Sequence, residues 1–281
     1  MNLTSAETRL TSDIRDSLAS IACDGSVAGK GPALRHLSTL FQGMAICCLL
    51  ADTDTHRFRA NLIRSAQARR YHLRRAHAEG LRDDRLLGLS KSAAIFDCVV
   101  AGASELVNDI VHGSASDWQP AAEYEDDFCY LSFIHGMLGQ PDFLRAPESA
   151  ALLQRFSAVL EGQQATRLTL CQAIRERNVL SFQSAFTALL SEHKTNVVTR
   201  KANASDRTTR TLVELQSTVS IEALAWLAFA RGMGMPMENG LSLCPDAARG
   251  LTPPAPEVDD LFDHLDAALR ADHVTSGTHV P

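Results

Sequence analysis

Alternating apolar–polar runs of the strand type are missing from this sequence. Aromatic residues make up only 6% of it, while Ala and Leu fill much of an apolar share of 45%. Ala and Leu favour helices, and strands draw on Val, Ile, Tyr, Phe and Trp, so the shortage points to a helical protein with a core of ordinary size. There is no C-x-x-C pair, and the seven cysteines (23, 47, 48, 98, 129, 171 and 244) are scattered. This pattern argues against a disulfide framework and predicts reduced thiols in a cytosol, several of them buried as small apolar groups. No uninterrupted apolar run reaches the roughly 18–20 residues that cross a bilayer. The best candidate, Met44 to Ala51, is far shorter. The first ten residues show no basic segment leading into an apolar one, so no secretory leader is expected. The expectation is a cytoplasmic protein without membrane contact.

Signatures of chemistry are also scarce. The chain contains no H-E-x-x-H, no E-x-x-H and no G-x-S-x-G, so the usual helical metal sites and the serine-nucleophile elbow have no candidate. His72 and His77 are five apart and off one helix face. Asp263, His264 and Asp266 read better as an exposed acidic helix than as ligands. Cys129 lies among carboxylates, which raise a thiol pKa and blunt its reactivity. Gly25, Gly29 and Gly31 surround Lys30, but the spacing is not that of a phosphate-binding loop and no strand precedes it. No catalytic residue, metal site or cofactor is therefore expected, and the chain reads as a non-enzyme.

Helical periodicity fills most of the length. Leu34, Leu37, Phe41, Met44 and Cys48 share a face, as do Ile95, Val99, Ala103, Leu106 and Ile110, and Phe182, Phe186, Leu189 and His193. The longest stripe is Leu212, Leu215, Val219, Ala223, Trp226 and Ala230. The spacing predicts helices near 5–22, 33–51, 54–79, 85–112, 122–139, 147–161, 164–177, 179–194, 206–232 and 258–272. Asp54 or Thr55 is placed to cap the third, Gly80 to end it, Asp117 to cap the turn that follows it, and Pro147 to open a later helix. The fold class is all-α: one domain over 1–281, a single array of about ten mostly antiparallel helices, with a degenerate helical-repeat superhelix as the variant form. The only internal boundary suggested is near 113–120, and 272–281 reads as a frayed tail.

Charge is unevenly placed. Seven arginines (57, 59, 64, 69, 70, 74 and 75) occur between Arg57 and Arg75 with no acid among them, whereas ten carboxylates and one arginine occur between Asp97 and Glu148. The net charge of −6 makes internal pairing or solvation the first reading of the arginine run, with nucleic acid an unfavoured partner and a homodimer left open. The segment Asp117, Trp118, Glu123, Tyr124, Glu125, Asp126, Asp127 and Tyr130 mixes carboxylates with rings. That combination suits a protein-binding surface, the ring anchoring and the charge steering. The competing reading turns Phe128, Leu131 and Ile134 inward and leaves the acids to complement a helix N-terminus.

The second half carries a resemblance. Phe182, Ala185, Phe186, Leu189, Leu190 and His193 fit an F-x-x-A-L-x-x-L-L-x-x-H helix, with Phe186 in place of its Leu. Leu227, Ala228 and Gly232 fit a following L-A-x-x-x-G helix end, and Leu241 to Pro245 a Pro-containing segment in which Cys244 is a departure. Over residues 140–250 this order resembles the immunity protein 49 family of bacterial polymorphic-toxin systems. The resemblance implies an all-α cytoplasmic protein that binds and neutralises a cognate toxin, and it carries over no catalytic residue. A nuclease-type toxin, with a basic cleft, would suit the acidic segment. The acidic residues Asp259, Asp260, Asp263 and Asp266 are the second candidate contact. The alternative function is a helical-repeat adaptor or effector chaperone that carries a client without inhibiting it.

Overall fold

Two consecutive helices form the spine of the molecule: α2 (Gly31–Asp52) and α3 (Thr55–Ala78), joined by two residues and packed along their lengths. The structure, a computed structural model, describes residues 2–22, 26–81, 84–237, 240–249 and 255–263. Around the spine lie α1 (Leu3–Ala22), α4 (Ala94–Ala101), α5 (Ser104–Gly113), α6 (Glu125–Gly139), α7 (Pro147–Val159), α8 (Thr166–Glu176), α9 (Val179–Asn203), α10 (Arg207–Gln216), α11 (Ile221–Gly232) and the single turn α12 (Asp246–Arg249). Among the described residues there is no strand, and the protein is all-α.

The local signals act where they were expected at several ends. Asp54 caps α3 by accepting the Arg57 amide at 2.8 Å, and Pro147 occupies the first turn of α7. Gly80 takes a positive φ of 68° just after α3. Asp117, by contrast, caps nothing: α6 starts at Glu125 behind Tyr124, which gives no side-chain cap.

Two expected long helices are broken, each for a visible reason. The stretch 85–112 begins with short 3-10 turns at Arg85–Leu87 and Leu89–Lys91, and then divides at Gly102. Arg59 donates Nε and Nη2 to the Ala101 carbonyl at 2.9 and 2.8 Å, taking an acceptor that a continuing helix would use, and Gly102 turns left-handed at φ 71°. The stretch 206–232 divides at 217–220. Ser217 and Thr218 hydroxyls donate back to Glu214 and Leu215 carbonyls, both at 2.6 Å, and Ser220 caps α11. The apolar stripe from Leu212 to Ala230 is nevertheless buried throughout. In the other direction, α9 runs to Asn203, well beyond the expected 194.

The array closes on itself. Helix α10 packs on α1 and α2, and α11 packs on α4, so the last third of the described chain returns to the first. An open superhelix restricts each unit to its neighbours, so the superhelical variant does not describe this arrangement. One apolar cluster runs from Ala6 to Phe262 and takes residues from both sides of 113–120. Trp226, fully buried, lies at its centre with Tyr130, Phe182 and Phe229 rings 5.6–6.3 Å away. Segment 255–263 returns to α3, where Phe262 stacks on Tyr71 at 4.6 Å. Most of the expected helix at 258–272, and the tail 272–281, lie outside the described residues.

By length and composition, α2 and the stretch Arg207–Gly232 are apolar enough to cross a membrane, which counting uninterrupted apolar runs missed. Both are mostly buried inside the array. In α2 every residue from Gly43 to Leu49 is buried, which is how adjacent Cys47 and Cys48 both come to be interior.

A close approach between α6 and the turn before α7 sets a test. A Cβ at Gly136 on α6 would stand 2.5 Å from the Phe143 ring, whereas one at Gly232 meets nothing within 4 Å. Gly136→Ala should therefore cost about 1–3 kcal/mol in chemical denaturation, while Gly232→Ala stays neutral or gains up to about 1 kcal/mol. Equal effects would show that the α6–Phe143 contact does not constrain the fold.

Candidate functional site

Most of the arginine run is engaged within the molecule. Arg57 pairs with Glu7, Arg70 with Asp109 at 3.1 Å and with Asp260, and Arg75 with Glu79 at 2.9 Å. Arg59 holds the Ala101 carbonyl, as described above. Arg69 is 7% exposed and makes no ion pair among the described residues, although Asp84 and Glu123 act on it from further off. Its guanidinium instead donates to the carbonyls of Leu86, Leu87 and Gly88 and to Ser92 Oγ, at 2.5–3.2 Å. Burial pulls its pKa down to about 10, still far above neutrality. Of the run, Arg57 and Arg74 are exposed as residues, Arg57 while paired with Glu7. Asp260 is consequently a structural partner of α3 and not a free surface charge. Asp259 and Asp263 are exposed, and Asp266 lies outside the described residues.

The acidic segment is also partly internal, and the eight residues singled out from the sequence do not form one surface. Glu123 is buried, receiving the Ser90 amide at 2.6 Å and so tying the loop before α6 to the turn before α4. Tyr130 is completely buried: its hydroxyl donates to Glu222 at 2.7 Å and accepts from Trp226 Nε1 at 2.9 Å. Trp118 is half-buried, its Nε1 bonded to the Glu123 carbonyl at 3.2 Å and its ring covered by the Arg155 guanidinium at 5.7 Å. Arg155 also binds Glu125 at 2.6 Å, and Arg167 binds Asp127 at 3.3 Å. What faces solvent is Tyr124, 79% exposed, with exposed Asp117 and half-buried Asp126, neither of which makes an ion pair among the described residues. Trp118, Glu123 and Tyr130 are thus corrected from outward anchors to supports. The sequence cannot show that Arg155 and Arg167, thirty and forty residues away, come back to cover them.

Behind this segment Arg167 is clamped between Glu222 at 3.0 Å and Asp127, with Tyr130 beneath it at 4.7 Å. Burial alone would lower the Arg167 pKa, but Glu222 and its neighbours raise it overall. Burial raises that of Asp127 despite Arg167. The six described cysteines are all buried. Cys129 is pushed up to about 11, first by burial, then with Arg155 opposing Glu125 and Asp126. Among the described residues no three His, Cys, Asp or Glu side chains converge as a metal site would require.

A polar cleft of about 430 Å³ opens between α2, α3, α4, α9 and α10. Asp97, 1% exposed, forms part of its wall. It accepts from Ser65 Oγ at 2.6 Å and from Gln42 Nε2 at 2.8 Å, and Gln216 Nε2 in turn donates to Gln42 Oε1 at 3.1 Å. Burial raises Asp97 to about 7 against those two hydrogen bonds. None of these residues was a candidate from the sequence. A signal was present: Asp97 is the single charge in the apolar run from Ala93 to Ala101.

No protein-family model matches the chain, and no curated protein sequence or solved structure matches it either. The residues that carry the immunity-family resemblance occupy structural positions. Phe182, Ala185, Phe186, Leu189, Leu190 and Leu227 are buried, and His193 Nε2 lies 2.8 Å from the Gln216 carbonyl.

Asp97 generates a pH test. Folded, it keeps its proton up to about pH 7, against an ordinary 3.8. Its contribution to stability is therefore full below 3.8 and is lost as the pH rises through 7. Buried His72 and His135, whose pKa values burial lowers, act in the opposite sense, so the comparison must be with a variant. Relative to the parent, Asp97→Asn should gain stability with rising pH across that window, by up to about 1.4 kcal/mol per pH unit. Parallel stability curves would contradict the assignment.

Proposed function

We propose that this protein is a cytoplasmic immunity protein, which binds a cognate toxin and neutralises it by steric and electrostatic occlusion without chemistry of its own. The observation that carries this reading is the placement of Tyr124. A large ring stands 79% exposed at the entrance to α6, two residues before half-buried Asp126 and in the same segment as exposed Asp117, on a chain whose other acidic-segment side chains are engaged internally. An exposed ring in one segment with unpaired carboxylates suits a partner with a basic, ring-accepting surface, such as the cleft of an enzyme that handles a polyanion. The inward use of the arginine run supports it as well. Arg57, Arg70 and Arg75 are paired to Glu7, Asp109, Asp260 and Glu79, and Arg59 and Arg69 are bound to carbonyls. Among the described residues this leaves Arg64 and Arg74 as the cations of the run without such a partner to attract nucleic acid. The immunity-family motif adds the toxin as the class of partner.

Co-expression with the product of the neighbouring gene tests the reading. Growth should be restored by the parent chain and lost with Tyr124→Ala combined with Asp117→Lys and Asp126→Lys, at an unchanged thermal midpoint. Tyr124→Ala alone should weaken toxin binding by about 2 kcal/mol, roughly thirtyfold, and the charge reversals should slow association. Protection by the triple variant equal to the parent's would remove this surface. Altered delivery of the neighbouring protein without rescue would favour an adaptor or chaperone.

A further inference from the structure

The cleft beside Asp97 has a charge balance unlike that of the chain as a whole. In a protein of net charge −6, Arg35, Arg69, Lys91 and Arg200 line it against a single carboxylate, Asp97. Arg35, Lys91 and Arg200 come from α2, the turn before α4, and α9, and among the described residues none makes an ion pair. Arg69, behind them, is buried with neutral partners only. Its charge is felt nearby: after burial, it is the next cause holding both His72 and His135 down, while Arg69 itself is lowered by burial, raised by Asp84 and Glu123, and lowered least by Arg35. Carboxylates act from further off, Asp84 and Glu123 on Arg69 and Asp127 on Lys91, and Asp127 and Glu222 line the adjoining cleft. None of them pairs with Arg35, Lys91 or Arg200, so cations gathered in the cleft without a direct partner favour an anion that is not part of the chain.

A second observation points into the same space. Asp97 Oδ1 accepts from Gln42 Nε2, which leaves Gln42 Oε1 as the acceptor for Gln216 Nε2. This donor order leaves Gln216 Oε1 over. That oxygen is buried with no hydrogen-bond partner, on a residue 9% exposed that lines the cleft. A buried acceptor left unpaired costs about 1–3 kcal/mol, which a ligand's O–H or N–H would recover. The two observations together describe a compact dianion carrying a hydroxyl. Three cations on separate elements suit the three terminal oxygens of a phosphate monoester better than the two of a carboxylate. The volume of about 430 Å³ falls in the range of small-molecule sites.

We propose that this cleft binds a small phosphate monoester of a polyhydroxylated group, with the phosphate among Arg35, Lys91 and Arg200 and a ligand hydroxyl donating to Gln216 Oε1. The site is separate from the Tyr124 surface, and its occupancy is independent of any toxin.

Calorimetric titration of the full chain with ribose 5-phosphate, inorganic phosphate and ribose tests it. Ribose 5-phosphate should bind saturably, inorganic phosphate more weakly, and ribose not at all. Arg35→Ala and Arg200→Ala, both at exposed residues, should each weaken ribose 5-phosphate about tenfold, as loss of one charge-assisted contact does. Gln216→Leu should weaken ribose 5-phosphate and leave inorganic phosphate unchanged. No saturable binding of ribose 5-phosphate, or equal binding by the Arg35, Lys91 and Arg200 triple-Ala variant, would overturn the site. Equal affinity for ribose 5-phosphate and inorganic phosphate would overturn the assignment of an ester.

Discussion

A single buried guanidinium constrains much of this molecule. Arg69 sits in the middle of α3, enclosed on all sides, and a cation there must be solvated by the protein in place of water. The chain does this by bringing residues 86–92 to it, so that three successive carbonyls and a serine hydroxyl point at one group. The two 3-10 turns follow from that demand, since a continuous helix would turn those carbonyls into its own hydrogen bonds. Glu123 holds the same turns from the other side through the Ser90 amide. The clamp around Arg69 thus locates the start of α4, the approach to α6 and the basic wall of the cleft.

The distribution of outward charge depends on the same inward use of cations. Arg57 and Arg70 of α3 each commit acids elsewhere, on α1, on α5 and in segment 255–263, while Arg59 and Arg69 are taken up by carbonyls. Arg155 and Arg167 do the same for the acidic segment and leave Tyr124 as its exposed ring. The surface proposed for the toxin is therefore what remains after internal pairing, and it is smaller than the run of charges in the sequence.

The helical character and most helix positions were legible because periodicity and capping are local. Asp54, Gly80 and Pro147 act on their neighbours, and the core faces of α2, α9 and α11 are written in their spacing. The breaks at Gly102 and 217–220 were not legible, because Arg59 acts across forty-two residues and because the serines there compete with a helix that the apolar stripe alone would favour. The candidate surface was over-read for the same reason. Trp118 and Tyr130 look like anchors until Arg155 is known to cover the first, and Glu222 and buried Trp226 to bond the hydroxyl of the second. The cleft was missed entirely, since its residues come from helices distant in sequence and no motif joins them.

Amide hydrogen exchange in an Arg69→Gln variant tests the central claim most directly. The account predicts that the amides of Leu87, Ser90, Lys91 and Ser92, which are bonded in the parent to Asp84, Glu123, Gly88 and Leu89, lose protection well before those of α8 to α11. If residues 86–92 keep the parent's protection without the guanidinium, Arg69 does not hold this segment and the account is wrong.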